Sequence, residues 1–291
     1  KKSKILVILD NSIELLLIFL SSIYNDIIFI PVNPNSGNEE INFIVKKTKP
    51  TFLITNKTFL KKANQIEYLR KYVIHKNNFY KEFIKKKNKT YIKVTRLNKN
   101  SIAQILFTSG STGNPKGVVL THKSMLTNLY GIHNSFNINM KNPRFLSVTP
   151  LYHNNGQFIP TLLPFVLNGS TLTISPDTSL LNFWPVCKKY KINYSSVMAT
   201  HINYFNTLRN IRSHNLINLF CGGAKLDVKS QQIFEKKFKI KILCNYGLTE
   251  TSSIASSEDN KNKNFFYGSV GKPLNNNKIK IINKKNKFGE I

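Results

Sequence analysis

The 291-residue chain predicts an α/β fold built on mainly parallel, doubly wound sheets. Three features carry that expectation. Short apolar runs of strand length alternate with helix-length stretches along most of the chain. Several of the runs are continuously apolar, as strands covered on both faces are, and Gly, Pro, Asn and Asp punctuate their ends. A hydrophobic content of 41% with 11% aromatics is enough to build a core and excludes a disordered chain.

In order, KILVIL (4–9) reads as a buried strand, and NSIELLLIFLSSIY (11–24) as a buried helix with Asn11 or Ser12 as its N-cap. DIIFIPVNP (26–34) is a strand closed by Pro31 and Pro34, which completes a β-α-β opening. Glu39 to Lys47 can form a helix and TFLIT (51–55) a strand. From about 57 to 100 the pattern weakens into Lys- and Asn-rich text, including KKKNK at 85–89, as a variable solvated excursion does. Thr121 can cap a helix over THKSMLTNLYGIHNSF (121–136). RFLSVTP (144–150) and STLTIS (170–175) read as strands around GQFIPTLLPFVLNG (156–169), a buried helix interrupted by proline. LINLFCGG (216–223) is a strand with a glycine loop, LDVKSQQIFEKKF (226–238) a helix opened by Asp227, and IKILCNYG (240–247) a further strand. YGSVGKPL (267–274) and KIKIINKK (278–285) read as short β elements of an additional subdomain.

The formal charge of +29 suggests a polyanionic partner, but Arg occurs only at 70, 96, 144, 209 and 212, leaving 38 lysines. Lys, Asn, Ile, Phe and Tyr share AT-rich codons, so coding bias accounts for the charge without specific nucleic-acid binding. Cys187, Cys221 and Cys244 form no C-x-x-C pair, which fits a reducing, intracellular compartment. The apolar opening is broken by Asp10, Asn11, Glu14, Asn25 and Asp26, so no transmembrane segment is expected. The spacing of the six histidines suggests no metal site.

The densest chemistry lies in QILFTSGSTGNPKGVVL (104–120). Thr108, Ser109, Ser111 and Thr112 supply hydroxyls, Gly110 and Gly113 let backbone N–H groups approach an anion, and Lys116 brings a movable positive charge. The Walker A spacing is not met, because Pro115 stands where glycine is needed and Gly117 follows the lysine. The apolar flanks place this loop between two strands.

FTSGSTGNPKG closely resembles the phosphate-loop signature of the adenylate-forming (AMP-binding) superfamily, which includes acyl-CoA synthetases and peptide-synthetase adenylation domains. CGGAKL (221–226), CNYGLTE (244–250), PLYHNNGQ (150–157), YGSVGKPL and the early VNP (32–34) resemble further elements of that family in order and spacing. The resemblance implies a fragment of the large N-terminal domain over 1–291, with the C-terminal lid and its catalytic lysine, and the ribose-binding aspartate, beyond Ile291. It implies ATP, Mg²⁺ and coenzyme A as partners of a small carboxylic acid, and little activity without the lid.

By that resemblance, Thr108, Ser109, Gly110, Ser111, Thr112, Gly113 and Lys116 hold the β- and γ-phosphates. Gly222, Gly223 and Ala224 close one side of the adenine, Tyr246 stacks on the other, and Asn245 reads the amino edge next to Gly247. Thr249 binds the α-phosphate, Glu250 holds Mg²⁺, and His153 lies between acid and nucleotide. Tyr152, Asn154, Phe158, His201, Gly222 and Thr251 line the acid pocket. An acyl-CoA synthetase is favoured over a carrier-loading adenylation domain, which usually has Pro at the position of Leu248. A non-catalytic nucleotide-binding relative and a basic nucleic-acid-binding protein are the remaining alternatives.

Overall fold

The computed structural model of the chain describes residues 2–66, 70–74, 97–108, 115–136, 138–176, 180–209, 211, 213–259, 266–285 and 288–291. They divide into two compact units. The first comprises Lys1–Met125, Pro150–His153 and Ile174–Pro176, the second Leu126–Thr149, Asn154–Thr173 and Asp177–Ile291.

The first unit holds β1 (Lys4–Ile8), α1 (Ile13–Tyr24), β2 (Ile28–Pro31), α2 (Asn38–Thr48), β3 (Phe52–Asn56), α3 (Leu60–Asn64), β4 (Arg70–Ile74), β5 (Ile102–Thr108) and β6 (Lys116–Thr121). Its six-stranded sheet runs β4-β3-β1-β2-β5-β6, parallel except for the antiparallel last pair. Ile5 to Ile8 are at most 3% exposed, which is why the central strand is an unbroken apolar run. Ser12 is the N-cap of α1, its Oγ accepting from the Leu15 N–H at 3.2 Å. Asn11, the other candidate, instead accepts the Leu151 N–H at 2.8 Å. Within the stretch expected to be a solvated excursion, Arg70–Ile74 pairs with β3 as an edge strand; residues 75–96, with the 85–89 lysine run, lie outside the described residues.

At the amino edge of this sheet Asp26, with φ of 56°, gathers three donors. Its Oδ1 is bonded by Lys2 Nζ, by Ser101 Oγ at 2.8 Å and by the 5%-exposed His122 at 3.2 Å. These contacts tie the starts of β1, β2, β5 and the following helix together. Burial lowers the His122 pKa, partly opposed by Asp26.

α4 (His122–Phe136) begins in the first unit and continues in the second. Thr121 caps it in a reciprocal pair: Thr121 Oγ1 accepts the Ser124 N–H and Ser124 Oγ accepts the Thr121 N–H, both at 3.1 Å. The second unit continues with β7 (Arg144–Ser147), α5 (Asn154–Gln157), a π turn (Phe158–Leu162), α6 (Leu163–Val166), β8 (Thr171–Ile174), α7 (Phe183–Lys189), β9 (Tyr194–Val197), α8 (Ala199–Thr207), β10 (Asn218–Cys221), α9 (Val228–Phe238), β11 (Lys241–Tyr246), β12 (Ser256–Ser257) and β13 (Lys272–Pro273). Its sheet order is β13-β12-β11-β10-β9-β7-β8, with β7, β9, β10 and β11 parallel and β12 and β13 antiparallel. A hairpin of β14 (Ile282–Lys285) and β15 (Phe288–Glu290) follows.

The second core is aromatic. Trp184 stacks on Phe238 with centroids 4.8 Å apart, and Phe183 and Phe205 meet at the same separation. Asp227 Oδ2 caps α9 through the Ser230 N–H at 2.9 Å, as its position in the sequence predicts. All three cysteines are buried free thiols. Among the described residues no helix is long and apolar enough to cross a membrane.

Candidate functional site

Parallel sheets bind ligands at the carboxyl ends of their strands, where the connecting loops can be chemically various without disturbing the core. In the second unit three adjacent strands, β9, β10 and β11, present such ends side by side.

β10 ends at Cys221 and delivers Gly222, Gly223 and Ala224. Gly222 is held to glycine by its neighbour, since a Cβ there would lie 2.1 Å from Asn245 Oδ1. Asn245, next to the end of β11 and 9% exposed, therefore leans across to the β10 loop, while its Nδ2 has no hydrogen-bond partner. Gly223 follows in the left-handed region, with φ of 84°, and is exposed together with Ala224.

β11 runs into Tyr246, Gly247, Leu248, Thr249 and Glu250. The chain turns back so tightly that a Cβ on Gly247 would meet the Ser253 carbonyl oxygen at 1.7 Å. Thr251 Oγ1 accepts the Leu248 N–H at 2.9 Å and lies 2.9 and 3.0 Å from the Leu248 and Ser253 carbonyls, so its hydroxyl is engaged within the turn. Ser252 and Ser253 take φ of 62° and 125° although neither is glycine, strain of a kind that clusters at functional sites. Asn128 braces the turn from α4, its Nδ2 donating to the Ile254 carbonyl at 2.7 Å and the Thr251 carbonyl at 3.2 Å. The Glu250 carboxylate is left exposed and Tyr246 half-buried.

β9 is followed by α8, with His201 in its first turn. His201 is 7% exposed and its Nδ1 is without a partner; desolvation lowers its pKa and keeps the imidazole neutral at pH 7. Asn154, also 7% exposed, donates from Nδ2 to the Thr249 carbonyl at 3.3 Å, and its Oδ1 has no partner. Phe158 is fully buried at the start of the π turn.

The remaining predicted residues belong to the first unit. Thr108 and Lys116 face each other in register at the loop end of the β5–β6 hairpin, with the Lys116 side chain exposed. The motif loop thus joins two strands as expected; Ser109, Gly110, Ser111, Thr112 and Gly113 lie outside the described residues. Tyr152 and His153 form a tilted ring pair with centroids 4.6 Å apart. His153 is exposed over much of its surface, yet desolvation lowers its pKa below the ordinary histidine value. Burial and the charge of Asp10 push the Tyr152 phenol up.

Sequence reasoning missed Asn128 and the Ser252–Ser253 strain. An asparagine inside the apolar face of a helix was an available signal for the first. Positive φ at serine leaves none.

Glycine-cleared loops on the carboxyl edge of a parallel sheet are the arrangement in which α/β proteins hold ligands. The chain belongs to the AMP-binding enzyme family, which matches it over residues 1–291. It is 25% identical over 286 residues to 4-coumarate–CoA ligase-like 9 of Arabidopsis thaliana, covering 94% of this chain and 50% of that protein. Its fold is similar to that of ATP-bound MatB from Rhodopseudomonas palustris, with a TM-score of 0.83 at 17% identity, covering 94% of this chain and 55% of the other. It is also similar to o-succinylbenzoate CoA synthetase from Bacillus subtilis in complex with its acyl-adenylate intermediate, with a TM-score of 0.81 at 20% identity over 100% and 57% of the two chains. The chain spans about half the length of the curated relatives it matches.

Proposed function

We propose that the full-length protein activates a carboxylic acid with ATP and transfers the acyl group to the thiol of coenzyme A. The observation that carries this reading is the carboxyl edge of β10 and β11, where Gly222 and Gly223 clear the loop after β10 and the strained turn after Tyr246 leaves the Glu250 carboxylate exposed.

Carboxylate oxygen attacks the α-phosphorus, the bond to the β-phosphate breaks and pyrophosphate leaves; thiol sulfur then attacks the acyl carbon and AMP leaves. Two anions must be brought together while charge grows on phosphate oxygens, so the protein contributes positioned positive potential and orientation. In this reading the hydroxyls and amides of residues 108–113, with Lys116, hold the β- and γ-phosphates. Tyr246 stacks on the adenine against the Gly222–Ala224 loop, Asn245 donates to the base edge, and Thr249 binds the α-phosphate. His153, whose pKa desolvation lowers, orients the acid. Tyr152, Asn154, Phe158 and His201 contribute to the acid's surroundings, while Thr251 secures the turn.

Glu250 fits Mg²⁺ as an exposed hard oxygen donor. Among the described residues there is no group of three or more His, Cys, Asp or Glu side chains that could hold a metal, so the ion would take its other ligands from phosphate and water. When bound, it neutralises phosphate charge. Leu248, where carrier-loading domains usually have proline, supports coenzyme A as the acceptor.

The test is carboxylate-dependent exchange of labelled pyrophosphate into ATP by the full-length protein, followed by detection of acyl-CoA. We expect Glu250→Gln to lower exchange on the order of 100-fold, as loss of one electrostatic stabiliser does. Unchanged turnover in that variant, or exchange that ignores added carboxylate, overturns the reading.

A further inference from the structure

We propose that Asn128 is a positioning residue for this site: by holding the backbone on either side of Ser252 and Ser253, it aims the Glu250 carboxylate at the magnesium ion that accompanies the nucleotide. The inference rests on the reading above and concerns how the chain holds its metal-directed carboxylate.

The Glu250 side chain is exposed, so its direction is inherited from the backbone that carries it. That backbone leaves β11 at Tyr246 and returns to the same residue, where the Ala255 N–H donates to the Tyr246 carbonyl at 2.8 Å. Within the turn, Ser252 and Ser253 are buried and take φ of 62° and 125°, which serine does not adopt unaided. Such residues persist only where surrounding contacts over-determine them.

Asn128 supplies those contacts. It is 4% exposed within α4, and its Nδ2 donates to the Ile254 carbonyl at 2.7 Å and to the Thr251 carbonyl at 3.2 Å. Only the amide nitrogen can donate to a carbonyl, so both of its N–H groups are committed, to acceptors three residues apart with the strained serines between them. One planar amide thus staples the strained pair. On the near side of Glu250, Asn154 Nδ2 donates to the Thr249 carbonyl at 3.3 Å. The carbonyls before and after Glu250 are therefore both held by asparagine amides, one from α5 and one from α4. Asn277 Nδ2 secures the return path further on, donating to the Ile254 and Ala255 carbonyls at 3.2 and 3.1 Å.

Without the staple the serines relax towards negative φ, and the Cα–Cβ bond of Glu250, two residues away, turns with them. A carboxylate about 1 Å out of place loses much of its hold on a small cation that demands near-ideal octahedral geometry. Asparagine is an unfavourable choice for a helix interior, so what residue 128 contributes is its pair of donors.

The experiment is calorimetric titration of the full-length protein with ATP, in excess Mg²⁺ and in EDTA, for the parent, Asn128→Ala, Asn128→Asp, Glu250→Gln and the double variant Asn128→Ala with Glu250→Gln. Asn128→Asp keeps the shape of the side chain but places carboxylate oxygens where the N–H donors were. We expect either Asn128 variant to weaken ATP binding about tenfold in Mg²⁺, the size of one lost hydrogen bond, and little in EDTA. The loss should vanish beside Glu250→Gln, because a residue that acts through Glu250 then has nothing left to position. Asp26→Ala, which loosens the edge cluster of the first unit, should lower thermal stability and leave the Mg²⁺-dependent part of ATP affinity as it is. Affinity unaltered in both Asn128 variants, a loss equal in Mg²⁺ and EDTA, a loss undiminished beside Glu250→Gln, or parent binding that ignores Mg²⁺ overturns the inference and leaves acid activation to the exchange assay. Failure of the parent to bind ATP overturns both. Should neither Asn128 variant fold, the inference is overturned as well, since the residue then holds the core and not the turn.

Discussion

Glu258 illustrates how one buried side chain can set the acid–base behaviour of its surroundings. It is 3% exposed directly after β12, its N–H bonded to the Cys244 carbonyl at 2.9 Å, and its Oε2 is unpartnered. Burial raises its pKa to about 7, reinforced by Glu235 and opposed by Lys241 and by a hydrogen bond from Ser269. The folded state therefore holds a proton between about pH 4.5 and 7 that the unfolded chain releases, and stability from this residue falls as pH rises through 7. Glu258→Gln should raise the melting temperature at pH 8, by an amount on the order of 1–3 kcal/mol in stability, and the gain should shrink towards pH 5. His122, His153 and His201 act in the opposite direction, because their lowered values favour the unfolded chain as pH drops below about 6.5. Thermal melts of the variant and its parent across pH 5–8 separate the two contributions. None of this was legible in the sequence, where Glu258 is one acid in a serine-rich stretch. Asn245, Tyr246 and Glu250 could be singled out because they flank Gly247, where the Ser253 carbonyl leaves no room for a Cβ.

At the scale of elements, helix caps were the most readable feature. Asp227 and Thr121 each stand one residue before a helix and bond the N–H three residues on. Asp227→Ala should cost about 1 kcal/mol, measured as a shift of the denaturation midpoint without a change in slope. Ser12, the cap of α1, was one of two neighbouring candidates, and local pattern could not choose between them. The choice depends on Leu151, whose N–H occupies Asn11 from 140 residues away. The Asp26 cluster was opaque for the same reason, since Lys2, Ser101 and His122 are distant in sequence. Asp26→Ala leaves the 5%-exposed His122 without its carboxylate and should lower stability by about 1–3 kcal/mol in the same assay. β4 was missed because its alternation, RKYVI, is that of an exposed edge strand embedded in charged text.

For the whole molecule, the alternation of apolar runs and helices sufficed to predict mainly parallel, doubly wound sheet, because doubly covered strands must be apolar throughout; it did not decide between one sheet and two. The division of Pro150–His153 and Ile174–Pro176 into the first unit was not foreseeable, since short returning segments carry no periodicity. The net charge of +29 has its own expected consequence. Duplex DNA should bind weakly and dissociate steeply as salt rises from 50 to 200 mM, while ATP affinity changes far less; filter binding and calorimetry at matched ionic strengths check this. DNA affinity that survives the salt increase would return the nucleic-acid reading to contention. A last consequence concerns the β5–β6 pair, in which Thr108 opposite Lys116 begins a ladder that runs through Phe107–Gly117, Leu106–Val118 and Ile105–Val119. Because strands turn successive residues to opposite sides, inserting one amino acid within Lys116–Val119 would either form a bulge or invert the later side chains, sending Leu120 outward from the interior it now fills. The pairing of these strands thus fixes which face each residue from Lys116 to Thr121 presents.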